Sequence, residues 1–179
     1  VITAFWALES DFGAGISKQY PIYNALATLA YDCRRPEMFS AELMAALRIV
    51  DDGYLPLSRM TGSWAGELGQ TQFLPSHYHA HAVDADGDGL RDLAKSDADI
   101  IMSTAKFIRH LGWRAGEPWL QEVRAPRDMP WQEADLAIQH PRSQWAKWGV
   151  RTRNGGQLKA AGMRASLLLP MGRYGAALL

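Results

Sequence analysis

The sequence predicts an α+β fold that is mainly α, a helical core followed by a small mixed α/β region. Three observations carry this. Apolar residues recur at helical spacing through most of the first 113 residues. Glycines stand where several of these runs must stop. After Trp113 the pattern breaks into short runs punctuated by proline. The expected division is therefore 1–113 and 114–179.

The opening stretch, "FWALESDFGAG", reads as a helix closed by Gly13 and Gly15. "PIYNALATLAYDCRR" predicts a second helix with Ile22, Leu26 and Leu29 on one side. "PEMFSAELMAALRIVDDG" predicts a third, with a Phe39, Leu43, Leu47 and Val50 stripe and Gly53 as its stop. A Gly-rich turn region, "MTGSWAGELGQTQFLPSHY", and an acidic loop, "DADGDGLRD", come next. "SDADIIMSTAKFIRHLGW" then predicts a helix with Ile101, Ala105 and Ile108 inward. Beyond it, "EPWLQEVRAPRDMPW" is strand-like, "EADLAIQHPRSQWAKWGV" suits short helices, and "RASLLLP" reads as a short buried strand.

Composition narrows the function classes. Nineteen basic side chains balance nineteen acidic ones, which argues against a dedicated nucleic-acid surface. No apolar run is long enough to span a bilayer. Cys33 is the sole cysteine, so neither an internal disulfide nor a thiolate metal site is available. The chain opens at Val1 on what reads as helix interior, and "GRYGAALL" ends without a terminal element. Both ends read as those of a fragment, so a missing leader says nothing about export.

Glu9 is the first chemical candidate. On a helix, Ile2, Phe5, Trp6 and Phe12 lie on or near its face. An acid shielded there would keep its proton and could donate it to a leaving group. The competing reading places Glu9 at the stripe's edge with its head in solvent. The acidic loop sets Asp84, Asp86, Asp88, Gly89 and Asp92 at positions one, three, five, six and nine of an EF-hand-like loop, with the Leu90 carbonyl at seven. Position twelve is Lys95 rather than Glu, so closure would fall to Asp97 or Asp99. A structural calcium ion is the expectation, against a solvated acidic turn. "HYHAH" offers His77 and His81 on one helix face, or all three histidines on one strand face; surface histidines are preferred to a metal site. The turn "GSWAGELGQTQF" suits either a sugar-facing cleft mouth or a structural turn. Of Trp6, Trp64 and Trp113, two are expected in the core.

Together, "ALESDFG", "YPIYNALATLAYDCRR", "GSWAGELGQTQFLPSHYHAHAVDADGDGLRDL" and "STAKFIRHLGW" resemble the lytic murein transglycosylase B family, glycoside hydrolase family 103. "GVRTRNGGQLKAAGMRASLLLPMGRYGAAL" resembles that family's later segment. The resemblance implies a lysozyme-like core that cleaves the β-1,4 bond between N-acetylmuramic acid and N-acetylglucosamine in peptidoglycan without water. The product would carry a 1,6-anhydromuramoyl end, and no cofactor would serve catalysis. Glu9 falls in the family's E-S-x-F-G motif as acid and then base; Ser63, Gln72, Phe73 and Phe107 match positions expected to bind sugar. Asp11 is not expected to act as a second carboxylate, because two residues along a helix it faces away. Asp84, Asp86, Asp88, Leu90, Asp92 and Asp99 match the family's metal loop. Phe107 and His81 replace frequent tyrosines, and the family's flanking cleft segments are expected to fall outside a stretch that reads as a fragment. The rival expectations are a hydrolytic muramidase and a catalytically idle peptidoglycan-binding module. The expected location is the periplasmic side of a bacterial envelope, soluble or lipid-anchored. The expected partners are glycan strands and cell-wall synthesis proteins.

Overall fold

The computed structural model describes residues 1–16, 19–118 and 120–179. Trp119, within the expected strand-like run, lies outside the described residues. The chain forms two compact units, Val1–Arg114 and Ala115–Leu179.

The first unit holds α1 (Ile2–Ser10), β1 (Tyr20–Pro21), α2 (Ile22–Tyr31), α3 (Pro36–Asp51), a 3-10 turn at Leu57–Arg59, β2 (Thr61–Gly62), α4 (Pro75–His81) and α5 (Asp97–His110). β1 and β2 pair antiparallel, with Tyr20 opposite Gly62. The core gathers Trp6, Ile22, Leu26, Ile49, Phe73 and Ile100 with their neighbours. Full burial of Ile22 and Leu26 stabilises α2 by roughly 1.5–3 kcal/mol each.

Two helices turn about one residue away from their expected register. In α3 the buried positions are Glu42, Ala45, Ala46 and Ile49, while Leu47 is exposed. Small alanines allow close helix approach, and Glu42 faces inward because its carboxylate accepts from the Ser76 amide (2.8 Å) and hydroxyl (2.7 Å). In α5 the buried positions are Asp99, Ile100, Ser103 and Thr104, and Ile101 is exposed. Their polar groups are met by loops: Ser103 Oγ accepts from the Val83 amide at 2.9 Å, and Thr104 donates to Thr71 at 3.2 Å.

The second unit holds β3 (Glu122–Arg124), a 3-10 turn at Trp131–Glu133, β4 (His140–Pro141), α6 (Arg142–Lys147), β5 (Arg151–Thr152), β6 (Arg164–Ala165) and β7 (Ala177–Leu178). Its sheets order as β5-β3-β7 and β4-β6. The last residues are thus paired, correcting the expectation of an end without an element. The "RASLLLP" strand is only two residues long, though Leu167 is fully buried. Trp145 centres this core and donates to the Ala165 carbonyl at 2.8 Å.

Candidate active site

α1 ends sooner than its apolar spacing implies. Asp11 and Phe12 adopt left-handed backbone, with φ of 48° and 54°. Ser10 is buried, and its hydroxyl accepts from the Gly13 amide at 3.0 Å. The Gly15 amide closes on the Ser10 carbonyl at 2.8 Å. The stretch after Glu9 is therefore a tight, hydrogen-bonded reversal rather than more helix. Phe12 reaches back edge-on to Trp6, with ring centroids 5.4 Å apart, yet stays half exposed.

This corrects two expectations. Glu9 is exposed, not shielded, because Trp6 is the one member of its expected stripe that is buried. Asp11 lies beyond the helix, so helical spacing says nothing about where it faces.

The Gly-rich turn explains how α1 is held. Trp6 Nε1 donates to Gln70 Oε1 at 2.7 Å, and Gln70 Nε2 donates to the Ala94 carbonyl at 2.8 Å. Gln70 thereby joins the helix of Glu9 to the turn and to the segment after the acidic loop. Gly13 packs so closely that a Cβ there would sit 2.6 Å from Gln70 Oε1, and its φ of 87° also favours glycine. Sequence reasoning singled out Ser63 and Gln72 but not this residue; its only signal was a place among the polar groups of the turn. Gln70→Ala is expected to strand the part-buried indole N–H of Trp6 and to free the exposed Ala94 carbonyl to water. A loss of about 1–3 kcal/mol should follow, read by denaturant unfolding.

Of the expected sugar contacts, Ser63 is engaged internally. Its hydroxyl donates to Glu67 Oε2 at 3.0 Å and accepts from the Ala65 and Glu67 amides at 3.2 and 3.1 Å. Gln72 has left-handed backbone (φ 55°), and its side-chain NH2 donates to the Gly69 carbonyl at 2.9 Å. Phe73 is buried in the core instead of walling a cleft, since the Leu68–Phe73 bridge turns it inward. Phe107 is half-buried, 5.0 Å from the Phe73 ring and 4.6 Å from His77. His77 and His81 both cover Phe107, while His79 meets Asp52 at 2.6 Å. Trp64 is exposed, whereas Trp6 is core.

Among the described residues, the one group with three metal-ligating atoms within 4.8 Å of each other is Asp84, Asp86 and Asp99. Asp99 is fully buried and accepts from the Ala85 and Asp92 amides, both at 2.7 Å. Asp86 accepts from Ser96 Oγ at 2.5 Å, and this bond holds its carboxyl below the usual range. Asp88 and Leu90 lie on the same loop outside that group, with Asp88 accepting the Leu90 amide at 2.8 Å. Asp92 is diverted: Arg59 pairs with one oxygen at 2.8 Å, and the Ala94 and Lys95 amides take the other. Three carboxylates this close suit a hard cation.

Comparison with known proteins places this arrangement. SltB3 of Pseudomonas aeruginosa, solved with NAG-NAM-pentapeptide and with NAG-anhNAM-pentapeptide, is 46% identical, with a TM-score of 0.89 over 99% of this chain and 48% of that one. The Escherichia coli lytic transglycosylase Slt35 in complex with calcium is 30% identical, with a TM-score of 0.81 over 99% of this chain and 55% of that one. Membrane-bound lytic murein transglycosylase B of Escherichia coli strain K12 is 36% identical over 118 residues, 65% of this chain and 32% of its own length. The chain thus spans about a third of that relative and about half of the solved ones. The family model described as the transglycosylase SLT domain matches residues 1–179. The lysozyme-like fold that the motifs implied is borne out by these structures, and the chain belongs to the transglycosylase SLT domain family.

Proposed function

We propose that this chain cleaves the β-1,4 bond between N-acetylmuramic acid and N-acetylglucosamine in peptidoglycan, with Glu9 as acid and then base. One observation carries the reading: the helix of Glu9 is tied through Trp6 and Gln70 to the turn bearing Ser63 and Gln72. The match to a protein solved with NAG-NAM-pentapeptide and NAG-anhNAM-pentapeptide supports it.

Protonated Glu9 gives its proton to the bridging oxygen as the bond to the muramoyl anomeric carbon breaks. The substrate's own N-acetyl oxygen closes on that carbon and takes up the developing positive charge. Glu9, now a carboxylate, removes the proton of the C6 hydroxyl. The C6 oxygen bonds to the anomeric carbon, the acetamido oxygen leaves, and Glu9 is protonated again. A second carboxylate, the usual partner in glycoside cleavage, has no task in this sequence. Glu9 is exposed, so closing it off from water falls to the bound glycan. Gln72 and the ring of Phe107 are the remaining sugar contacts in this reading. The Ser63 hydroxyl acts by holding the turn through Glu67.

Asp84, Asp86 and Asp99 would hold a calcium ion, with Asp88 and the Leu90 carbonyl as further oxygen donors on the loop. The ion would brace the loop against α5 and take no part in the reaction. The reading places the protein on the periplasmic side of a bacterial envelope; among the described residues no helix is long and apolar enough to cross a membrane.

Mass spectrometry of the products from purified glycan strands tests the proposal. The expected muropeptides carry anhydro ends. Products heavier by one water would instead make the chain a muramidase, and no products would leave it a binding module.

A further inference from the structure

A basic pocket of about 700 Å³ lies between α4 and α5. His81, Lys106, Arg109 and His110 form its polar wall, Val83 and Met102 contribute apolar surface, and no Asp or Glu lines it. The His81 and His110 rings stand 4.4 Å apart. Lys106 Nζ donates to the Ala80 carbonyl at 3.2 Å, which fixes its charge at the pocket's edge.

Cations gathered this closely repel one another unless an anion joins them. Burial first, and then His110, Lys106 and His77, depress the affinity of His81 for a proton. The groups facing it are His77 on its own helix and Lys106, Arg109 and His110 on α5, none of them acidic. The guanidinium of Arg109 offers the planar fork that grips oxyanions in pairs.

We infer that this pocket binds an oxyanion, a carboxylate or a tetrahedral group such as sulfate, held by Arg109 and Lys106 with His81 and His110 beside it. The His81 ring also lies 5.2 Å from Phe107, a sugar contact in the proposed reading, but the inference stands whether or not that reading holds. The competing account is that these cations only complement the carbonyl ends of α4 and α5, where positive charge is favourable without any ligand.

The test follows the imidazole C–H signals of His81 and His110 by NMR, at constant ionic strength, during titration with sulfate and separately with succinate. Saturable shifts at these two residues, absent with chloride and at His140, are the expected result. Arg109→Gln and Lys106→Gln should each weaken binding about tenfold; both positions are exposed, and an unchanged melting temperature would confirm that the fold persists. Sulfate keeps its charge throughout, so its affinity should rise as pH falls below the ordinary imidazole range, where His81, whose proton affinity is depressed, gains its charge. Tighter sulfate assigns a tetrahedral oxyanion and tighter succinate a carboxylate. Shifts that do not saturate, that chloride reproduces, or that survive Arg109→Gln unchanged would overturn the inference.

Discussion

Glu9→Gln should lower the rate of anhydro-muropeptide release by about 10²–10⁴-fold, the usual contribution of a positioned general acid or base. The amide matches the acid in shape but can neither give nor regain the proton that both halves of the reaction need. Glu9 is exposed at the end of α1, so the exchange removes no packing. Stability should stay within about 0.5 kcal/mol of the parent chain. Loss of rate with an unchanged melting temperature is thus the signature of a chemical role. A variant that keeps the parental rate would move the acid elsewhere. Glu67, half-buried on the Gly-rich turn with Ser63 on its carboxylate, is then the next group to replace. Gln70→Ala probes the same site from the other side: it leaves the carboxyl in place and loosens the helix that holds it.

The contrast between these residues shows what was legible in the chain. The E-S-x-F-G stretch was visible because its order is specific, and the helices were visible because their apolar spacing is strong. On α3 the expected Phe39, Leu43 and Val50 do pack against the core while Leu47 is exposed. The buried centre of α3 and the inward face of α5 were missed because periodicity counts apolar residues only. Glu42, Asp99, Ser103 and Thr104 are polar and buried. Each is accommodated by a partner distant in sequence: Ser76, Ala85 and Asp92, Val83, and Thr71. A one-dimensional pattern holds no record of such partners. The shielding assigned to Glu9 failed for a related reason. It assumed that α1 runs through Phe12, whereas the left-handed turn at Asp11 and Phe12 breaks the helix and opens the stripe. Phe73 was placed at a cleft by its motif, but the hydrogen-bonded Leu68–Phe73 bridge sends it into the core.

Asp99→Asn should both destabilise the first unit and abolish its response to calcium. Each carboxylate oxygen of Asp99 accepts one backbone amide, from Ala85 and from Asp92. An asparagine has a single acceptor oxygen, so its NH2 must face one of those amides in a fully buried place. The stranded donor costs about 1–3 kcal/mol, and each kcal/mol lowers the melting temperature by roughly 2–4 °C in a chain of this size. Calcium supplies the second readout. An ion that binds only the folded chain adds about 2.7 kcal/mol when present at a hundred times its dissociation constant. The parent chain should therefore melt higher in calcium than in chelator, and Asp99→Asn should melt alike in both. Asp92→Asn is the control, because its carboxylate is committed to Arg59 and to the loop amides rather than to the cluster. It should lose stability yet keep the calcium-dependent rise. If calcium still stabilises Asp99→Asn but not Asp92→Asn, the ion sits at the ninth loop position, and the cluster of Asp84, Asp86 and Asp99 is a hydrogen-bonded turn.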